Sequence, residues 1–181
     1  MEPLKIIKKY YERNSLSYRI LLTHVKLVTK KALKIAKNSS FNPDLKFIEE
    51  ATMLHDIGMF LTNAPEIGCF GKKPYICHGT LGRTLLEKEN LPKHALVCER
   101  HTGVGLSVEG IEREKFPIPK RDMIPISIEE EIICIADKFY SKNPETLTKE
   151  KTVEEIKEEL SKYGKNTLKK LNYLLEKYNL L

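Results

Sequence analysis

The sequence predicts an all-α protein: a helical bundle over residues 1–145 with a C-terminal amphipathic helical extension over 146–181 packed on it. Three observations predict this. Apolar residues recur at steps of three and four along most of the chain. Alternating strand patterns are nearly absent. Breakers such as Gly58, Asn90 with Pro92, Asn143 with Pro144, and Gly164 fall between the periodic segments.

The elements follow in order. Leu21, Val25, Val28, Ala32 and Ile35 step by 4, 3, 4, 3 and mark one face of a long helix. Ile48, Ala51, Leu54 and Ile57 mark a second, which Gly58 is placed to stop. "HGTLGRTLLEKEN" reads as a third helix opening at His78, and Pro92 suits the first turn of "PKHALVCERH". Residues 103–125 hold three glycines and three prolines and read as a long loop with little regular structure, the kind that often serves as a functional lid. In "SIEEEIICIADKFY", Ser127 as N-cap with Glu130 three residues on forms a capping box. Residues 145–181 are rich in Lys, Glu and Leu and predict two amphipathic helices broken near Gly164. Leu168, Leu171, Leu175 and Tyr178 mark the face of the second, either docked on the bundle or forming a dimer contact, so monomer and homodimer both stand.

Composition excludes several classes. With 41 % apolar residues in 181, the chain can bury a sizeable core. Its apolar runs are only a few residues long, so no membrane span is expected. "MEPLKIIKKYYERN" carries charge throughout and has no signal-peptide core, so a cytoplasmic location is expected. Lys and Arg number 31 against 25 Asp and Glu, a net charge of +6. That excess favours anionic ligands, but no basic and aromatic platform accompanies it, and nucleic acid is not the expected partner. Cysteines 69, 77, 98 and 134 form no CxxC pair, which leaves reduced thiols filling core space.

The informative residues are polar ones inside apolar faces. "TMLHDIGMF" sets His55 and Asp56 side by side in an apolar run, where each costs roughly 1–3 kcal/mol unless paired. His24 lies at the edge of the first helix's apolar face, His78 begins one helix and His101 ends the next. Asp137 sits inside "IICIADKFY", and buried carboxylates are rare without a partner. His94, beside Lys93 in a polar first turn, reads as solvated. Imidazole nitrogen and carboxylate oxygen together suit zinc, iron, manganese or nickel, and a helical bundle is a known frame for such a cluster.

His24, then His55–Asp56 31 residues later, then Asp137 in an "ADK" context resemble the signature of the HD superfamily of metal-dependent phosphohydrolases. "HDIG" at 55–58 matches a frequent form of its central motif, and the resemblance covers roughly residues 16–145. "CHGTLGRTLLEKE" and "ERHTGVGLS", with His78 and His101 23 residues apart, resemble the two-metal branch that includes symmetrical diadenosine tetraphosphate hydrolases. The chain departs from that branch at Ile57-Gly58-Met59 and at Lys138-Phe139.

The resemblance implies one divalent metal on His24, His55, Asp56 and Asp137, and a second on Asp56, His78 and His101. Iron, manganese, zinc, nickel or cobalt would fit, and magnesium is allowed. Asp56, His78 and His101 would be catalytic through metal-activated water. The substrate would be a small phosphorylated molecule, a nucleotide or dinucleotide cleaved at an ester or anhydride. A nucleotide-sensing or scaffold protein without turnover is the alternative. Arg100 and Lys138 adjoin metal ligands, and Lys120 and Arg121 lie on the long loop, so these four are the expected phosphate contacts.

Overall fold

The computed structural model describes residues 1–181, and its regular elements are helices apart from one two-stranded ribbon. Helices α1 (Pro3–Tyr10), α2 (Leu16–Asn38) and α3 (Leu45–Leu54) come first. The ribbon follows, β1 (Asn63–Ala64) antiparallel to β2 (Cys69–Phe70). Then come α4 (His78–Lys88), α5 (Pro92–Arg100), α6 (Val108–Arg113) and α7 (Ile128–Lys138). The chain ends with α8 (Val153–Ser161) and α9 (Lys165–Lys177).

Capping chemistry sets several starts. Ser15 Oγ accepts from Tyr18 N at α2, and Asp44 accepts from Phe47 N at α3. Ser127 caps α7 by accepting from Glu130 N. Glu130 does not close the box on Ser127; its carboxylate takes Ile126 N at 2.7 Å.

Two apolar cores form, and α2 runs through both. Ile20, Leu21 and Val25 pack with α1, α4 and the end of α3. Val28, Ala32 and Ile35 pack with α7, α8 and α9. Residues 156–178 therefore share a core with residues 132–139: Ile156, Leu160, Leu171, Leu174, Leu175 and Tyr178 are all buried there. His24 sits on α2 between these two sets, at the seam where the cores meet.

The structure revises three further local expectations. The loop 103–125 is not irregular throughout: Ser107 caps α6 through Gly110 N, and Leu106 pairs with Met123 as an isolated bridge. His94 is buried rather than solvated. Its ring lies edge-on to Phe47 with centroids 4.9 Å apart, and Nε2 is 3.6 Å from Glu50.

Gly58, in turn, does not end α3 through a left-handed turn. Helix α3 stops at Leu54, and Gly58 has φ −78°. Its role is close approach: a Cβ there would lie 2.3 Å from both His78 O and Gly82 N of α4. Gly58→Ala is expected to push α4 away from the His55–Asp56 turn and cost about 1–3 kcal/mol, or roughly 2–12 °C in Tm. A thermal melt checks this.

Candidate metal centre

Three histidines occupy equivalent local positions. His55 is the C-cap of α3, His101 that of α5, and His78 that of the single helical turn Tyr75–Cys77. Each turns Nδ1 back to the carbonyl three residues earlier. The distances are 2.6 Å to Thr52, 2.8 Å to Cys98 and 2.8 Å to Tyr75. These carbonyls lie at helix ends, where acceptors lack intrahelical partners. A carbonyl only accepts, so Nδ1 carries the proton and Nε2 of each neutral ring is a free lone pair. That is the tautomer a metal ligand needs.

These Nε2 atoms converge on two aspartates. His24 Nε2 lies 2.9 Å from Asp137 Oδ1 and 3.2 Å from Asp56 Oδ2. His55 Nε2 lies 3.3 Å and 3.0 Å from the same two oxygens. On the other side of Asp56, Oδ1 lies 3.3 Å from His78 Nε2 and 3.4 Å from His101 Nε2. His78 Nε2 and His101 Nε2 are 3.1 Å apart. Two donor sets result, His24–His55–Asp56–Asp137 and Asp56–His78–His101, joined by the two oxygens of Asp56. All six residues are buried.

The donor chemistry fits divalent metal. An ion with bonds of about 2.1 Å sets adjacent ligand atoms roughly 3.0–3.4 Å apart, close to the 2.9–3.4 Å of these histidine–carboxylate pairs. Burial pushes His78 down to about 3, against the pull of Asp56, and it lowers His101 as well. Both rings are therefore neutral at pH 7, and their Nε2 lone pairs face each other and Asp56 Oδ1 with no proton to share. No hydrogen bond of good geometry reaches either oxygen of Asp56, although Lys142 Nζ lies 2.7 Å from Oδ2, and His24 Nδ1 has no partner. Oδ1 of Asp56, facing two neutral imidazoles, is a buried acceptor whose cost a divalent cation would offset.

Electrostatics hold the carboxylates ionised. Burial opposes ionisation of Asp56, but His55 and Lys142 outweigh it and keep the carboxyl well below its usual range. Asp137 resists burial in the same way through Lys138 and Lys142. Burial also pushes His55 down, yet Asp56 and Asp137 beside it raise it to about 9. His55 is thus protonated at pH 7 and must lose that proton to act as a ligand. Loading the first donor set is expected to release the His55 proton at pH 7, with affinity rising about tenfold per pH unit until His55 titrates. Filling the second set, whose histidines are already neutral, releases none. Calorimetry of Mn²⁺ binding in buffers of different ionisation enthalpy measures both.

A cavity of about 1020 Å³ opens beside His78, His101 and Asp137 and extends to the junction of α8 and α9. The family model described as HD domain matches residues 21–142, which span every one of these candidate ligands. The chain belongs to the HD-domain family.

The HD-domain match places the chain in a superfamily of metal-dependent phosphohydrolases. Its relatives carry mixed names. It is 32 % identical over 123 residues to a tRNA (cytidine(56)-2'-O)-methyltransferase of Picrophilus torridus, covering 67 % of this chain and 32 % of that protein. A Thermoplasma volcanium protein of the same name is 30 % identical over 122 residues, again 32 % of its length. An uncharacterized protein of Methanocaldococcus jannaschii is 30 % identical over 138 residues, 74 % of this chain and 70 % of that protein. The chain thus spans about a third of the two methyltransferase-named relatives. No solved structure matches it. No helix is long and apolar enough to cross a membrane.

Around this HD site the expected phosphate contacts divide. Lys138 lines the cavity, with Nζ 2.8 Å from Asp137 Oδ2. Arg100, Lys120 and Arg121 do not line it. Arg100 is held by Glu130 at 2.8 and 3.0 Å. Arg121 and Arg83 both pair with the buried Glu99, whose charge needs them. Lys120 is exposed, 3.4 Å from Glu112. The expectation that these three meet substrate is therefore revised.

Sequence reasoning missed two residues. Lys142 Nζ lies 2.7 Å from Asp56 Oδ2 and 4.0 Å from Asp137 Oδ1. The Tyr75 hydroxyl is buried without a hydrogen-bond partner, and its ring stacks on His78 with centroids 4.7 Å apart. Lys142 lies beyond α7 in a stretch without periodicity, so nothing marked it. Tyr75 precedes His78 by three residues, a helical spacing that could have been noticed.

Proposed function

We propose that this chain is a metal-dependent phosphohydrolase that cleaves a phosphate ester or anhydride of a nucleotide or dinucleotide with water. The supporting observation is the pair of donor sets sharing Asp56, in which buried lone pairs of His78, His101 and Asp56 face one another. A divalent ion held there would supply hydroxide near neutral pH and a positive charge for phosphoryl oxygens. Iron, manganese, zinc, nickel, cobalt or magnesium could serve, since availability decides among them.

The chain's own groups complete the site. Asp56 ties the two donor sets together, and Asp137 closes the first. Lys138 offsets the charge of Asp137 from its outer oxygen and faces the cavity. Burial pushes the Tyr75 hydroxyl well above its usual range, so it remains a hydrogen-bond donor at neutral pH. It is suited to a non-bridging phosphate oxygen. The cavity is large enough for a nucleotide, with Leu106, Phe116 and Tyr163 offering apolar surface to a base or sugar.

A second reading rests on the relatives' names. Two proteins that share this sequence over about a third of their length are named tRNA 2'-O-methyltransferases. That association favours an RNA-derived nucleotide as the phosphate ester. One assay separates these readings: phosphate or nucleotide release from mono- and dinucleotides, cyclic dinucleotides, and 2'-phosphorylated, 3'-phosphorylated and 2',3'-cyclic nucleotides, with Mn, Fe, Co, Ni, Zn and Mg each supplied. Turnover of one class with a metal requirement is expected. Tight nucleotide binding without turnover under every metal would favour the sensing role instead.

A further inference from the structure

Two lysines enter the buried cage, and they do so differently. Lys138 Nζ meets Asp137 at Oδ2, while Asp137 Oδ1 faces His24 and His55. The ammonium of Lys138 is therefore on the outer oxygen, and it can stay there with the first donor set filled. Lys142 Nζ meets Asp56 at Oδ2, the oxygen that also faces His24 Nε2 at 3.2 Å and His55 Nε2 at 3.0 Å. This is the inner oxygen of the first donor set. Lys142 thus claims an atom the metal needs, and its positive charge opposes a divalent ion within a few ångströms.

The surroundings give Lys142 somewhere else to go. It belongs to the stretch between α7 and α8, outside regular helix, and it lines the cavity together with Ser141 and Asn143. Its four-carbon stem can move the ammonium from the aspartate into that cavity without moving the backbone. Neither Arg100, Lys120 nor Arg121 reaches this space. Of the cations that line the cavity, Arg113, Lys138, Lys142, Lys151, Lys165 and Lys170, Lys142 is the one that sits on Asp56.

We propose that Lys142 is a displaceable counter-ion of Asp56: it competes with the first divalent ion for Oδ2 and, once displaced, anchors the phosphate of the substrate from the cavity side. Metal loading and substrate binding are thereby linked through one side chain. A site without metal keeps its lysine on the aspartate and offers a phosphate little. A loaded site presents the freed ammonium beside the metal ligands. The inference rests on the proposed metal-dependent reading, and it is tested by binding rather than turnover.

The experiment uses the chelator-stripped 181-residue chain, titrated with MnCl₂ in a calorimeter at pH 7, as wild type, Lys142→Met and Lys142→Arg. Orthophosphate is then titrated into each Mn²⁺-loaded form. Circular dichroism confirms that each variant keeps its helices, and Lys142→Gln replaces any that does not. Lys142→Met should bind Mn²⁺ at least about tenfold more tightly than wild type, because the competitor is gone. It should bind orthophosphate at least about tenfold more weakly, and Lys142→Arg should recover part of that loss. Equal or weaker Mn²⁺ binding by Lys142→Met overturns the competition, and unchanged phosphate binding overturns the anchor. Should wild type itself bind no Mn²⁺, the metal reading fails together with this inference; if wild type binds and Lys142→Met matches it, only this inference fails.

Discussion

Asp56→Asn is expected to empty both donor sets and abolish the proposed hydrolysis while leaving the helices intact. Asp56 is the one residue common to the two sets, with Oδ2 facing His24 and His55 and Oδ1 facing His78 and His101. An amide keeps the shape but removes the charge and offers only one acceptor oxygen. The histidines would then have to hold a divalent ion with Asp137 as the sole anionic ligand. Metal content should fall to background, and activity should fall by about 10³-fold or more, the upper end of the loss of a single charge-stabilising group. Elemental analysis and far-ultraviolet circular dichroism on the same sample check this. Retention of metal at wild-type stoichiometry would show that Asp56 is a buried counter-ion rather than a bridging ligand.

The second large effect concerns the smaller donor set. His78→Ala or His101→Ala leaves Asp56 with a single histidine, too few ligands to retain an ion against dilution. Metal content should drop from about two per chain to about one. Activity should fall by more than the roughly 10–100-fold typical of an outer partner's loss. His94→Ala is the control. His94 is buried against Phe47 and Glu50, so its loss should lower stability by about 1–3 kcal/mol but leave metal content unchanged. If His101→Ala keeps both metal and activity, the site works with the four-residue set alone.

Much of this was legible in the sequence, for a physical reason. A histidine or aspartate inside an apolar helical face must be paired with something, so His24, His55, Asp56 and Asp137 announced themselves by their cost. Helix positions were equally plain where apolar periodicity ran unbroken, as in α2 and α7. Side-chain direction was less legible. Arg100 adjoins His101 in sequence, but neighbours on a helix point about 100° apart, and Glu130 takes the guanidinium. Arg121 answers to the buried Glu99 for a similar reason: a carboxylate packed out of water recruits the nearest cations. Helix α6 was hidden by the glycines and prolines around it, although Ser107 was a capping signal in plain view. Lys142 could not be found, since a long flexible side chain leaving an irregular segment carries no pattern that says where its charge ends. Gly58 was noticed for the wrong property. Its backbone is ordinary, and what the fold needs is the missing Cβ where the His55–Asp56 turn meets α4.

The central claim is that Asp56 joins two metal sites into one. Elemental analysis of the 181-residue chain tests it most directly. The chain is purified without chelator, reloaded with Mn²⁺ and freed of excess ion, alongside His101→Ala and Asp56→Asn. The account predicts about two ions per chain in wild type, about one in His101→Ala and none in Asp56→Asn. One ion per chain in both wild type and His101→Ala would contradict the shared centre, and no retained ion in wild type would contradict the metal site altogether.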